Sequence, residues 1–268
     1  MSMSFVDKLL KASRANDSLV CVGLDPDPDL MPIADVVAFN KAIIEATRDL
    51  VCAYKPNLAF YEALGLDGMR IAYETRKAIP DSIPVIGDAK RGDIGNTARA
   101  YAKALFDVLG FDAATVNPYG GYDALEPFLA YADRGIMIWC RSSNAGSADF
   151  QSLTTPSSLP LYEVVAQKAR EWNRSGNVGL VMGATFPQEL KRVREMCPDM
   201  PILIPGLGAQ AGDVEASVKF GIDAKGEKAI FNSSRQILYA SKGMDFAQAA
   251  RRAAQRLRDE INKVRWGR

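Results

Sequence analysis

Residues 84–110, "PVIGDAKRGDIGNTARAYAKALFDVLG", change hydrophobic period midway. The first part is a short apolar run that ends in charge and reads as a strand over 84–90. From residue 96 the apolar side chains recur at the three- and four-residue spacings of an amphipathic helix. This is one strand–helix unit, and the chain repeats it. Further strands are predicted at 20–25 (VCVGLD), 51–57 (VCAYKPN), 113–118 (AATVNP) and 135–141 (GIMIWCR). Three more fall at 178–183 (VGLVMG), 201–206 (PILIPG) and 228–234 (KAIFNSS). Helical patterns such as "ADVVAFNKAIIEATRDL" and "PLYEVVAQKAREWN" lie between them.

Eight such units in about 250 residues are the count for an α/β fold of the (β/α)8 TIM-barrel type. The expected architecture is one barrel domain over 1–268, preceded by an extra N-terminal helix. A doubly wound open sheet is the alternative, but no GxGxxG follows the first strand. The last helix is expected near 245–265, with Phe246, Ala250, Ala253, Leu257, Ile261 and Val264 on its apolar stripe. Its arginines read as an ordinary solvated face. Residues 144–160, "NAGSADFQSLTTPSSLP", are long for a strand-to-helix loop, which favours a lid or binding loop.

Composition narrows the chemistry. The 268 residues are 48% hydrophobic and 24% charged, with a net charge of +1. That balance argues against nucleic acid or a membrane surface as the main partner. There is no apolar run of about 18 residues, and the segment "MSMSFVDKLLKASRAND" lacks a signal-peptide core. Cys21, Cys52, Cys140 and Cys197 form no CxxC pair and suit a reducing cytoplasm. The chain has 0 histidines, which removes Ser-His and Cys-His nucleophiles, His-ligated metals and imidazole acid–base chemistry. Catalysis must then use carboxylates, amines, hydroxyls or backbone groups.

Those groups collect where the strands end, the place where such barrels keep their active sites. Asp25 ends the first strand, Lys55 lies on the second, and Asp88 and Lys90 lie on the third. Asn117 closes the fourth, and Ser142-Ser143-Asn144 follow the fifth. Two residues apart on a strand, Asp88 and Lys90 face the same way, roughly 5 Å from a neighbouring strand carrying Lys55. Asp93 falls on the loop beyond. A salt-bridged strand end would account for one Asp-x-Lys pair, but not for four ionisable groups in one confined place. Lys55, Asp88, Lys90 and Asp93 sum to zero charge, and lysines beside carboxylates stay protonated. That pattern suits a positioned ammonium proton donor, not a Schiff-base lysine, which needs a depressed pKa. After strands seven and eight, Gly206-Leu207-Gly208-Ala209-Gln210 and Ser234-Arg235 offer backbone N–H groups and a guanidinium for a phosphate.

The stretch "DAKRGDI" resembles the Asp-x-Lys-x-x-Asp-Ile signature of the orotidine 5′-phosphate decarboxylases. So do "VGLDPDP", "YKPN", "NPYGG", "SSN", "VMGAT", "PGLGAQAGD" and "SSRQI", in order along nearly the whole chain, and the longer bacterial subgroup is the nearest match. The resemblance implies a homodimeric barrel that converts orotidine 5′-monophosphate (OMP) to UMP and CO2 without metal or organic cofactor. It implies that Lys55, Asp88 and Lys90 act with Asp93 of the neighbouring subunit, and that Lys90 protonates C6 of the pyrimidine. Asp25 and Lys55 would hold ribose hydroxyls, Ile94 and Thr97 would reach across the interface, and Ser143 would meet the pyrimidine. Asn117, Gly208 and Ser234 would also line the substrate site, with Gln210 and Arg235 on the phosphate. Ala145 replaces a frequent proline of the family, and Ala211 a frequent glycine; neither removes a catalytic group.

Decarboxylation leaves a C6 carbanion with no adjacent electron sink, so stabilisation must be electrostatic. At an effective dielectric of about 20, unit charges 4 Å apart interact by roughly 4 kcal/mol, nearly three powers of ten in rate. Two rivals remain. A metal-dependent sugar-phosphate decarboxylase of the same barrel group has a metal-binding acid at the second-strand position, where this chain has Lys55. A non-catalytic nucleotide-binding barrel would need the phosphate grip but not the charged array.

Overall fold

The computed structural model describes residues 3–207 and 213–267. Its eight strands are β1 (Val20–Leu24), β2 (Ala53–Pro56), β3 (Ile86–Arg91), β4 (Ala113–Val116), β5 (Gly135–Arg141), β6 (Val178–Met182), β7 (Ile202–Pro205) and β8 (Ala229–Ser233). All the ladder pairs are parallel, in the order β2-β1-β8-β7-β6-β5-β4-β3. Parallel bridges Tyr54↔Val85 and Asn57↔Asp88 join β2 to β3 and close the ring. The eight expected strands are therefore all present, and closure rules out the open sheet.

The pleat sorts each strand by parity. Cys21, Ala53, Ile86, Ala113, Met137 and Ile230 pack together inside the ring. Their neighbours one residue on, such as Val22, Tyr54, Ala114 and Ile138, belong to the larger core under the helices. Both faces of the sheet are thus covered, which explains the near-continuous apolar runs. The N-terminal helix (Phe5–Ala15) closes the bottom, inserting Phe5 and Leu9 into the inner cluster. Gly135 lies directly against the Phe5 ring, so a side chain there would strike the plug.

The C-terminal helix spans Phe246–Trp266 and buries Phe246, Ala250 and Ile261 as its spacing predicts. Residues 144–160 are not an open strap. They hold a turn at Ala145–Ser147, a short helix at Ala148–Gln151 and an antiparallel bridge Thr154↔Pro160. Among the described residues no helix is long and apolar enough to cross a membrane.

Candidate active site

Continuing the parity of the inner layer two residues up each strand brings Gly23, Lys55, Asp88, Thr115, Trp139 and Asn232 to the barrel mouth. A cavity of about 260 Å³ opens there, lined by Lys55, Asp88, Lys90, Thr115, Arg141 and Ser143 among others. Lys55 is 3% exposed, and its Nζ donates to Asp88 Oδ2 at 2.8 Å. Lys90 Nζ donates to the other carboxylate oxygen, Asp88 Oδ1, at 2.7 Å. One buried carboxylate therefore bridges two ammonium groups.

Electrostatics hold Lys55 and Asp88 charged. Burial alone would depress the Lys55 pKa, but the charges of Asp88 and Asp25 and the hydrogen bond to Asp88 outweigh it, and the pKa stands above its ordinary value. Burial likewise pushes the Asp88 carboxyl up, yet Lys55 and Lys90 prevail and hold it well below the carboxylate range. The expectation that the array stays ionised is met at Lys55 and Asp88.

The route from sequence to this geometry differs at Lys90. Simple strand alternation does not put it beside Asp88. The β3–β4 register shifts between Gly87 and Arg91, and Lys90 has a φ of +46°, in the left-handed region. The bulge turns the lysine back over the carboxylate. Thr115 on β4 meets it: its Oγ1 accepts the N–H groups of Ala89 and Lys90, each at 2.9 Å.

The other predicted residues divide by location. Among the described residues, Asp25 Oδ1 is buried with no hydrogen-bond partner. Tyr239 fixes the strand end beneath it, donating to the Asp25 carbonyl at 2.9 Å and accepting from Asp27 N. Ser143 lines the cavity and its carbonyl accepts from Thr185 Oγ1. Ser234 sits against Gly23 and Asn232 at the end of β8, and Arg235 beside it is exposed. Asn117 does not line the cavity; its Oδ1 accepts from Tyr119 N at 3.0 Å and caps a turn. Asp93, Ile94 and Thr97 are exposed, and none of them is among the residues that line the cavity. Gly208, Gln210 and Ala211 lie outside the described residues.

Sequence reading missed Thr115 and Arg141. Thr115 is an ordinary strand former by type, and only its parity with Ala113 marks it as facing inward. Arg141 is 2% exposed at the end of an apolar strand, itself a signal of a paired charge. It donates to Glu189 Oε2 and Ser147 Oγ, each at 2.5 Å, and lies 4.0 Å over the Phe186 ring. Gln151 completes the anchor by accepting from Ser142 N at 2.8 Å and donating to Ser142 Oγ at 3.0 Å. The long loop is thereby tied down next to the cavity.

Fold and site together define a (β/α)8 barrel with a cavity at its mouth, set against a Lys–Asp–Lys array in which Lys55 and Asp88 are buried. Residues 18–253 match the model of the Orotidine 5'-phosphate decarboxylase / HUMPS family, and the chain belongs to that family. It is 55% identical, over 98% of its length and 99% of the relative's, to a protein of Dehalococcoides mccartyi named orotidine 5'-phosphate decarboxylase. A protein of the same name from Ralstonia nicotianae is 50% identical over 98% of this chain and 100% of that one. The structure of Leishmania donovani OMP decarboxylase superposes with a TM-score of 0.88 at 42% identity, covering 98% of this chain and 99% of that chain.

Proposed function

We propose that the protein is a carboxy-lyase that decarboxylates OMP to UMP and CO2, the last step of de novo pyrimidine synthesis. The observation that carries this is Asp88 held between two lysines, with Lys55 and Asp88 buried at the barrel mouth. The full-length likeness to proteins named for this activity supports it.

Lys90 is the proton donor. Its side chain is 39% exposed, unlike that of Lys55, so it reaches the cavity and a bound pyrimidine. As CO2 leaves, the C6 electron pair meets the ammonium and takes its proton. A fixed charge placed beforehand needs no reorganisation in the transition state, which is where its rate effect comes from. Asp88 orients both lysines beside the departing carboxylate. Lys55, with Asp25, takes ribose hydroxyls; the orphaned Asp25 Oδ1 supports that role. Ser143 contacts the base, and Gly208, Gln210, Ser234 and Arg235 hold the phosphate. Asn117 belongs to this site through the turn that it caps, next to Gly92 of the Asp93 loop.

The active unit is a homodimer in which Asp93, Ile94 and Thr97 serve the partner's cavity. Their exposure supports this: Ile94 is apolar yet 64% exposed, and Tyr119 nearby in sequence to the β4 end is 88% exposed. The buried free thiols fit a cytoplasmic setting. The sugar-phosphate alternative is disfavoured by Lys55, whose buried ammonium stands where a Mg2+ ligand would be needed.

The test is consumption of OMP by purified protein, followed through the pyrimidine absorbance, with and without excess EDTA. Equal turnover in both is expected. No turnover, or turnover abolished by the chelator, overturns the reading.

A further inference from the structure

We infer that Thr115 is a positioning residue for the proton donor: its hydroxyl locks the strained Lys90 backbone and the Asp88 carboxylate into one geometry. The inference rests on the decarboxylase reading for its kinetic consequence, not for its structural one.

A hydroxyl has one proton to give and two lone pairs to offer. At Thr115 all three are used. The two lone pairs take the N–H groups of Ala89 and Lys90, each at 2.9 Å, and the proton goes to Asp88 Oδ1 at 2.9 Å. Because two N–H donors face Oγ1, its own hydrogen can point only to the carboxylate. The same Asp88 oxygen receives Lys90 Nζ at 2.7 Å. The backbone and the ammonium of Lys90 are thus fixed from one point.

The bulge needs such a fixture. Both amides fall in the gap where the β3–β4 ladder loses register. Lys90 is not glycine, and a φ of +46° persists only where the surroundings over-determine it. Thr115 is 1% exposed on a strand paired residue by residue with β5, so it is a rigid support. Position matters because misplacing a catalytic group by about 1 Å costs on the order of a hundredfold in rate.

The experiment compares full-length wild type, Thr115→Val and Thr115→Ser. Valine keeps the shape and loses all three hydrogen bonds; serine keeps all three. Should the valine variant fail to fold, Thr115→Ala removes the hydroxyl without a second methyl against Asp88 and takes its place. The expected result is a kcat loss of about tenfold to a hundredfold in the hydroxyl-free variant, with KM and UMP affinity changed by no more than about twofold. The serine variant recovers most of that loss. Amide hydrogen exchange at Ala89 and Lys90, read by NMR without substrate, is expected to accelerate at least about tenfold in the hydroxyl-free variant only. Wild-type kcat in that variant, equal damage in the serine variant, or unchanged exchange at both amides overturns the inference. If wild type itself does not turn over OMP, the activity reading has failed, and the exchange experiment alone decides the role of Thr115.

Discussion

Asp88 shows how one buried carboxylate can hold two lysines at once: its two oxygens face Lys55 and Lys90. Removing one partner of a buried ion pair strands the other charge, so Asp88→Asn should destabilise the fold by about 3 kcal/mol in urea unfolding. The pH dependence follows from the directions of the shifts. The Asp88 pKa is depressed, so its contribution is complete above the unfolded value and is lost as pH falls through the folded one. The Lys55 pKa is raised, so its contribution is complete below the unfolded value and is lost only as pH rises through the folded one. The stability gap between wild type and Asp88→Asn should therefore be flat from about pH 5 to 9 and narrow below about pH 4. A gap below about 1 kcal/mol at neutral pH, or one that widens in acid, would show that the pairing is not as described.

Among the elements, the β5 strand and its loop carry the most information that residue types alone conceal. The Ser/Thr/Pro-rich composition of 144–160 announces a loop, and its length announces a role. Neither reveals the anchor, because Arg141, Ser147, Gln151 and Glu189 are brought together by the packing of β5, its loop and the helix Pro187–Met196. Gly183 at the end of β6 is part of the same arrangement. A Cβ there would lie 2.7 Å from both Cα and N of Ser143, which is backbone and cannot swing away. Gly183→Ala should push the Ser142–Ser143 segment out of place and raise KM for OMP by about tenfold, with a smaller effect on the far side of the barrel. Steady-state kinetics would show it, and an unchanged KM would mean that the loop is free to shift. Asn144 precedes Ala145 with φ −81° and ψ 150°, the extended conformation a residue takes before proline. The alanine therefore leaves the loop backbone in the path that proline would impose.

At the scale of the whole molecule, the charged residues of β3 and of the loop after it divide. Lys55, Asp88 and Lys90 meet within one chain, whereas Asp93, Ile94 and Thr97 are exposed and do not line the cavity. Mixing Lys90→Ala and Asp93→Ala subunits, each inactive alone, should restore activity, since each mixed dimer rebuilds one site of two. Confirmed subunit exchange without recovered turnover would refute the shared site.

The order of elements was legible from start to end, because hydrophobic period depends only on which face of each element is buried. The predicted strands, the N-terminal helix and the stripe of the last helix all follow from that rule. The identities of Lys55, Asp88 and Lys90 were legible too, since charge at the end of an apolar run is costly unless it has a purpose. Tertiary structure alone decided the rest. Alternation would set Lys90 beside Asp88 without strain, but a bulge does it, and the bulge depends on a hydroxyl from the next strand. Arg141 pairs with Glu189 across 48 positions of sequence. Contacts of that kind arise from ring closure and parallel pairing between strands distant in the chain, and no local period records them.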